Sequence, residues 1–264
     1  MTDTVAEAKP PAGGLQRRRI PAGIWIEPSP RWVRTYCGGV KIADSKRALL
    51  MFERGPLPTY WFPIEDVNLE HLTAEDHMSA DGTMFWSLRV GDRVVEKAAR
   101  SQPDPAGDRA ALKDHIAFFW AKMDAWYEED DEVFVHPRDP YHRVDVLRSS
   151  RRIRVEIDGT MVAESARPTL LFETGLPTRY YIPKQDVRMD LLVPSDTRTG
   201  CPYKGVASYW SVRVGGELVK DIVWSYPAPI PECPKIENLL SFFNERVDIF
   251  IDGQQEVRPK TAWS

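Results

Sequence analysis

The chain has 264 residues, of which 42% are hydrophobic and 28% are charged, a composition typical of soluble globular domains rather than of disordered chains. The formal net charge of -4 favours neither nucleic acid nor an anionic membrane as a partner, and no apolar run approaches the ~18 residues of a membrane-spanning helix. The three cysteines form no Cys-x-x-Cys pair, which argues against a disulfide framework and against a zinc site. We therefore expect a cytoplasmic protein that holds no metal and no cofactor.

The sequence is internally duplicated. Residues 39–67 align without a gap on residues 159–187, with twelve of 29 positions identical, and residues 86–105 align on residues 210–229. Similarity over this length indicates a tandem repeat of one folding unit. In chain order we predict a disordered tail at residues 1–20, repeat one at 21–128, a linker of acidic and basic residues at 129–149, and repeat two at 150–264.

Most of the predicted elements are β-strands. Two-residue hairpin turns are indicated at positions 38–39, 91–92, 158–159 and 215–216, each of which contains at least one glycine. Ile153, Val155 and Ile157 alternate with charged residues, a pattern that predicts a half-buried strand before the turn at positions 158–159. Residues 170–172 and 180–182 are short apolar runs and predict strands that are buried on both faces.

Each repeat also contains one stretch with the periodicity of a helix. Leu112, Ile116, Phe119 and Met123 recur at helical spacing in repeat one, and the stripe recurs in repeat two at Ile236, Leu240, Phe243 and Val247. A further strand at residues 249–251 follows the second stripe. The predicted fold class is mainly β (α+β), with two tandem domains that each hold about seven antiparallel strands and one C-terminal helix.

Several motifs of repeat two resemble the domain of unknown function 427 family. They are Leu171-Phe172-Glu173-x-Gly175, Arg179-Tyr180-Tyr181-Ile182-Pro183, Asp196-Thr197-Arg198-Thr199, Cys201-Pro202-Tyr203-Lys204-Gly205 and Trp224-Ser225-Tyr226-Pro227. The resemblance covers all of repeat two, whereas repeat one lacks the Cys-Pro-Tyr-Lys-Gly run. It implies a β-rich, tent-like domain in which two antiparallel sheets meet at an angle. Relatives by fold often join their sheets through zinc bound to Cys-x-x-Cys pairs, which this chain lacks.

The run from Cys201 to Gly205 is the candidate site, because only repeat two carries it. A cationic neighbour favours the thiolate form of a cysteine, and a lysine at this spacing also offers an ammonium group to an anion. Glu53 and Glu173 each end an apolar strand, where a carboxylate needs a partner such as Arg89 or Arg213. The candidate catalytic residues are Cys201, Lys204 and Glu173. The candidate ligand-binding residues are Arg198, Thr199, Tyr180, Tyr181, Tyr203, Trp210, Trp224 and Tyr226.

Three functions are compatible with this constellation. The leading one is a binding module that holds a small anionic metabolite in an aromatic-walled pocket of repeat two through Lys204 and Arg198. The first alternative is an enzyme in which Cys201 or Lys204 acts as nucleophile and Glu173 transfers a proton. The second is a scaffold whose loops bind a protein partner. A structural alternative also stays open for the run itself, in which Pro202 and Gly205 form a tight turn and Cys201 fills space. The ligand and the oligomeric state are not specified by the sequence.

Overall fold

The computed structural model describes residues 23–53 and 57–264, so the tail predicted at residues 1–20 lies outside the described residues. The described residues form two compact units, 23–139 and 140–264. Each unit is mainly β, and the hydrogen-bonded strand pairs within both are antiparallel. In the described ranges no helix is long and apolar enough to cross a membrane.

Unit one contains eleven strands among its described residues. They are β1 (Trp25–Pro28), β2 (Val33–Cys37), β3 (Val40–Ser45), β4 (Leu49–Phe52), β5 (Thr59–Pro63), β6 (Leu72–Met78), β7 (Met84–Val90), β8 (Arg93–Ser101), β9 (His115–Phe118), β10 (Ala125–Glu128) and β11 (Asp131–Glu132). A seven-stranded sheet has the order β1-β4-β5-β9-β8-β7-β6, and a four-stranded sheet has the order β11-β10-β2-β3.

Unit two repeats this plan with eleven further strands. They are β12 (Val144–Arg148), β13 (Ile153–Ile157), β14 (Thr160–Ser165), β15 (Thr169–Glu173), β16 (Arg179–Tyr181), β17 (Leu192–Cys201), β18 (Gly205–Val214), β19 (Glu217–Ser225), β20 (Ser241–Phe242), β21 (Asp248–Ile251) and β22 (Gln254–Gln255). The sheet β12-β15-β16 and the sheet β20-β19-β18-β17 are linked by paired backbone hydrogen bonds between Ile182 and Leu240. Together these strands have the same spatial order as the seven-stranded sheet of unit one.

The predicted hairpins are present in both units. Cys37 pairs with Val40, Val90 with Arg93, Ile157 with Thr160 and Val214 with Glu217, so each predicted turn has two residues. At the third of these turns Asp158 and Gly159 both have positive φ, which matches the right-handed twist of the strands they join. Residues 170–172 and 180–182 also lie in or beside the buried strands β15 and β16, as the apolar runs predict.

The predicted helices are wrong, because both stripes fold as short 3₁₀ turns and strands. The stripe of repeat one is divided between a 3₁₀ turn (Gly107–Leu112), β9 and a 3₁₀ turn (Trp120–Lys122), and Asp114 interrupts it with a φ of 57°. The strand β9 is central in its sheet and its Ile116, Ala117 and Phe118 are all buried, so its sequence does not alternate.

Repeat two shows the same difference between expectation and structure. Pro234–Ile236 is a 3₁₀ turn, Asn238 has a φ of 56°, and β20 follows. Four more 3₁₀ turns are described, at Ile64–Asp66, Leu69–His71, Lys184–Asp186 and Met189–Leu191. Because the helical stripes become strands and several two-residue strands close the sheets, each unit has more strands than the seven or so expected.

Two apolar clusters cover the two faces of the long sheet of unit two, which consists of β12-β15-β16 and β20-β19-β18-β17. The larger cluster lies between the long sheet and the β14-β13-β21-β22 sheet, and includes Val155, Ile182 and Ile222. The smaller one, called the outer cluster here, covers the opposite face. Its buried members are Leu171, Tyr181, Ala207, Trp224, Tyr226, Cys233 and Ile236. Since side chains alternate along a strand, Tyr180 and Tyr181 belong to different clusters.

Candidate functional site

The Cys-Pro-Tyr-Lys-Gly run forms the turn between β17 and β18. Cys201 pairs with Gly205 across the hairpin, and the amide of Lys204 donates a hydrogen bond to the carbonyl of Cys201 at 3.3 Å. Gly205 has a φ of +101°, and a Cβ at this position would lie 3.2 Å from the carbonyl oxygen of Ala228. The turn therefore requires glycine, and it directs the Lys204 side chain into the protein, where the residue is 8% exposed.

Lys204 forms a buried ion pair with Glu173. The ammonium Nζ lies 2.5 Å from Oε2 of Glu173, which ends β15 and is 3% exposed. Burial by itself raises the pKa of Glu173, but hydrogen bonds from His142 and Lys204 and the charge of Lys204 outweigh it and lower the pKa to about 2. Burial has the largest single effect and lowers the pKa of Lys204, but the charge of Glu173, the neighbouring Cys201 and Tyr181, and the hydrogen bond to Glu173 together outweigh it, so the net direction is upward. Both groups are ionised at neutral pH.

His142 is the third member of this cluster, which we call the Lys–Glu–His cluster (Lys204, Glu173 and His142). Its Nε2 lies 3.0 Å from Oε1 of Glu173, and its ring stacks on Tyr203 with a centroid distance of 4.1 Å. An ionised carboxylate only accepts hydrogen bonds, so Nε2 carries a proton. Within the described part of the chain no residue hydrogen-bonds to Nδ1, which is an acceptor whenever the ring is neutral.

The pairing of β12 with β15 brings His142 to Glu173. Val144 is opposite Glu173, and the amide of Thr174 donates to the carbonyl of Arg143 at 3.0 Å, so His142 comes alongside the end of β15. His142 is not among the predicted site residues. Only the pairing of β12 with β15 places His142 beside Glu173, and the sequence of β12 does not predict that pairing.

Aromatic side chains surround the ion pair on the sheet side. The indole of Trp224 donates a hydrogen bond to the hydroxyl of Tyr181 at 3.1 Å, and their rings meet edge to face. Burial raises the pKa of Tyr181 and of Tyr226, so both phenols are neutral. Burial also raises the pKa of the Cys233 thiol to about 11, and this thiol donates to the carbonyl of Tyr203 at 3.3 Å. The two phenols and the thiol are therefore neutral groups that pack around the protonated Lys204 side chain.

The structure brings most of the predicted site residues together. The residues in or beside the outer cluster are Glu173, Tyr181, Cys201, Tyr203, Lys204, Trp224 and Tyr226. Thr199 joins them through its hydroxyl, which lies 2.8 Å from the hydroxyl of Tyr209, a partly buried neighbour of the same cluster. Tyr209 and Cys233 are further members that the predicted site did not include.

Three of the predicted ligand-binding residues lie elsewhere. Tyr180 is in the larger cluster on the opposite face, where its hydroxyl donates to Glu256 at 2.9 Å. Trp210 packs against that same cluster. Arg198 is exposed and donates to the carbonyls of Ser195 and Thr197, which belong to its own strand. The alternation of side chains along β16, β17 and β18 separates these three residues from Lys204.

The carboxylates that end β4 and β15 have different partners from those expected. Glu173 is paired with Lys204 and His142, and Glu53 is paired with Arg109 at 2.8 Å, so neither Arg89 nor Arg213 supplies the counterion. The long extended strands keep Arg89 and Arg213 exposed. In the described ranges no group of three or more His, Cys, Asp or Glu side chains is placed to hold a metal ion.

Two tandem antiparallel β units, the second of which holds a buried Lys–Glu–His cluster, define a duplicated β-domain protein. The family model described as "Domain of unknown function (DUF427)" matches residues 25–129 and again residues 145–253. The chain therefore belongs to this family, and each repeat contains one match. A search of curated proteins finds no match to the chain.

Proposed function

We propose that repeat two binds a small anionic metabolite, with the ammonium group of Lys204 as the principal anion-binding group. The observation that carries this proposal is the state of that ammonium. It is buried and protonated, and it has three N–H donors, of which Glu173 accepts one. Glu173 is the one hydrogen-bond partner of Nζ among residues 23–53 and 57–264. An oxyanion of the ligand is the natural acceptor for the remaining donors.

Access to the ammonium is supported by the exposure of its neighbours. The His142 side chain is 14% exposed, and Tyr203 and Cys201 are also partly exposed, so these three form the solvent edge of the buried cluster. The stacked pair of His142 and Tyr203 supplies a flat surface beside this edge. A ligand that enters here meets aromatic rings on one side and the ammonium at its end, which suits a small carboxylate or phosphate.

Lys204 itself is poorly suited to act as a nucleophile. Its raised pKa keeps the side chain as an ammonium ion, which has no lone pair to attack a carbonyl group. Glu173, with a pKa of about 2, orients its partners and does not carry a proton at neutral pH.

One observation favours an enzyme as the second candidate function. Because Glu173 accepts the Nε2 proton of His142, the unprotonated Nδ1 of the neutral ring is available as a general base, in the way that a carboxylate orients histidine in catalytic triads. Cys201, at the same solvent edge, is then the candidate nucleophile. This function requires Cys201 and His142, whereas anion binding requires Lys204.

Ligand binding can be tested with a thermal-shift screen followed by calorimetry. The probes are acetate, pyruvate, citrate, inorganic phosphate and adenosine monophosphate. We expect at least one probe to stabilise the wild type, and Lys204→Met to weaken its affinity by about tenfold or more, as expected for the loss of a charge-assisted hydrogen bond. Cys201→Ala should bind the same probe with little change if binding alone is the function.

Two further variants separate lost binding from lost folding. Lys204→Met leaves the buried carboxylate with fewer partners, so the double variant Lys204→Met/Glu173→Gln restores a neutral cluster and should stay folded but fail to bind. Lys184→Met is the matched control, since Lys184 is an exposed lysine of the same unit that lies 5.9 Å from the ring of Trp210. The proposal is refuted if no probe binds, or if both Lys204 variants bind as tightly as the wild type; a scaffold that binds a protein would then be favoured.

A further inference from the structure

A second cationic side chain, Arg100 of β8, lies on the seven-stranded sheet of unit one. In the sheet register Arg100 is opposite Phe85 of β7 on one side and Ala117 of β9 on the other. Ala117 belongs to the apolar cluster that covers this face, together with Met51, Trp61 and Leu112. This is the face of repeat one that corresponds to the outer cluster of repeat two.

The guanidinium of Arg100 lies among aromatic rings. Its central carbon is 5.4 Å from the ring centroid of Trp61 and 5.7 Å from that of Phe119. The ring of Phe119 stacks in turn on that of Phe85, with a centroid distance of 6.4 Å and an interplanar angle of 14°. Arg100, Phe85 and Phe119 are all half-buried, so this group of side chains is partly accessible to solvent.

Arg100 has no acceptor for its donors within the described ranges. No side-chain hydrogen bond or ion pair joins its guanidinium to another residue there, although an arginine side chain carries five N–H donors. Two other arginines that lie over aromatic rings are paired: Arg179 with Glu245 at 2.6 Å and Arg154 with Glu156 at 3.0 Å. Arg100 differs from them because it lies over aromatic rings but forms no ion pair with a carboxylate.

Two carboxylates, Glu53 and Asp81, act on Arg100 through their charge, and both are hydrogen-bonded to other groups. Burial has the largest effect and lowers the pKa of Arg100, the charges of Glu53 and Asp81 raise it, and the charge of Arg109 lowers it. The carboxylate of Glu53 accepts a hydrogen bond from Arg109 at 2.8 Å, and that of Asp81 accepts one from the hydroxyl of Ser79. The ammonium of Lys97 lies 5.7 Å from the ring of Phe85 and adds a third cation at the exposed edge.

A cation at the position of Arg100 is found in repeat one and not in repeat two. Phe85 and Arg100 are paired in the same register as Tyr209 and Trp224 of repeat two, so the position of Arg100 is held there by a neutral indole. The β-sheet therefore does not need a cation at this position. A half-buried guanidinium without a hydrogen-bonded partner is costly, and a function for it is the simplest reason to keep it.

We propose that Arg100 binds the oxyanion of an aromatic carboxylate or aromatic phosphate ester, with the ring of the ligand packed on Phe85 and Phe119. The planar guanidinium forms paired hydrogen bonds to two oxygens of the carboxylate or phosphate group. Lys97 adds electrostatic attraction at the edge of the site. This site is independent of Lys204, since it lies in the other repeat.

The test is calorimetric titration of the full chain with benzoate, phenyl phosphate and inorganic phosphate. We expect one or both aromatic probes to bind, inorganic phosphate to bind at least tenfold more weakly than phenyl phosphate, and Arg100→Met to weaken the aromatic probes by about tenfold or more. Arg100→Lys, which keeps the charge but not the planar fork, should have intermediate affinity. Arg154→Met is the matched control, because it removes an arginine that lies over a ring but already has a carboxylate partner.

Binding at Arg100 is distinguished from binding at Lys204 by a parallel titration of Lys204→Met. The Arg100 component is the part of the isotherm that Arg100→Met removes and Lys204→Met retains. The proposal is overturned if neither aromatic probe binds the wild type, if Arg100→Met binds as tightly as the wild type, or if Lys204→Met abolishes all of the binding. An unfolding curve for each variant confirms that it is folded under the titration conditions.

Discussion

The buried carboxylate of Glu173 should make repeat two sensitive to acid, and Glu173→Gln tests this. A folded-state pKa of about 2, against 4.5 in the unfolded chain, corresponds to about 3 kcal/mol of stability at about 1.4 kcal/mol for each tenfold change. Because the pKa is lowered on folding, this contribution is fully present above pH 4.5 and is lost as the pH falls through about 2. Glu173→Gln lacks it at every pH and leaves Lys204 as a buried cation without a counterion.

The assay is urea unfolding of both proteins, followed by tryptophan fluorescence and circular dichroism, from pH 6 to pH 2. We expect the variant to be less stable by about 3 kcal/mol at pH 6, and the difference to shrink steadily below pH 4.5. Glu53→Gln is the matched control in unit one, where the carboxylate side chain is 22% exposed against 5% for Glu173 and should contribute less. A difference that stays constant down to pH 2 would show that the charge of Glu173 is not its source.

Two further substitutions test the packing around the site. Gly205→Ala should cost about 2 kcal/mol, because φ is +101° and the added Cβ meets the carbonyl oxygen of Ala228; Gly216→Ala, at a φ of +86° with open space around it, should cost less, and equal losses in chemical denaturation would contradict the steric argument. Arg179→Met should cost about 3 kcal/mol or more, because it removes the counterion of the buried Glu245 carboxylate. The double variant Arg179→Met/Glu245→Gln should recover part of that loss in the same unfolding assay, and no recovery would mean that packing of Arg179 against its aromatic neighbours dominates.

The sequence predicts those features of the fold that depend on local chemistry. Hairpin turns need particular residues at two adjacent positions, so Asp158-Gly159 identifies its turn without any knowledge of the rest of the chain. The Cys-Pro-Tyr-Lys-Gly run is predicted as a site for a similar reason, since thiol, ammonium and glycine lie within five residues. The reason why the last position of this run must be glycine is visible only in the structure, where the carbonyl oxygen of Ala228 approaches Gly205.

The features that the sequence does not predict depend on pairing between distant strands. His142 reaches Glu173 because β12 pairs with β15, and nothing in the sequence around His142 specifies that register. The false helices have a related origin. Ile116 repeats at helical spacing with its neighbours, yet β5 and β8 on either side of β9 provide its hydrogen bonds, and the apolar clusters that contain Ile116 and Ala117 bury the two faces of the strand.

The two repeats keep a carboxylate at the end of an equivalent strand but neutralise it from different elements. Glu53 is paired with Arg109 from the 3₁₀ turn that precedes β9, and Glu173 with Lys204 from the hairpin of β17 and β18. By the alignment of the repeats, the position of Arg109 is occupied in repeat two by the neutral thiol of Cys233. A buried carboxylate needs one counterion, and either element supplies it without changing the sheet.

This freedom allows each repeat to place its remaining positive charge differently. In repeat two the cation comes from the hairpin, so the buried carboxylate and ammonium lie next to His142, whose ring stacks on Tyr203 at the solvent edge. In repeat one the counterion comes from the 3₁₀ turn, and the extra charge of Arg100 lies among the rings further along the same sheet face. One fold, duplicated, thus carries the two proposed anion-binding positions, and their ligands should differ because the aromatic neighbours of Lys204 and of Arg100 are arranged differently.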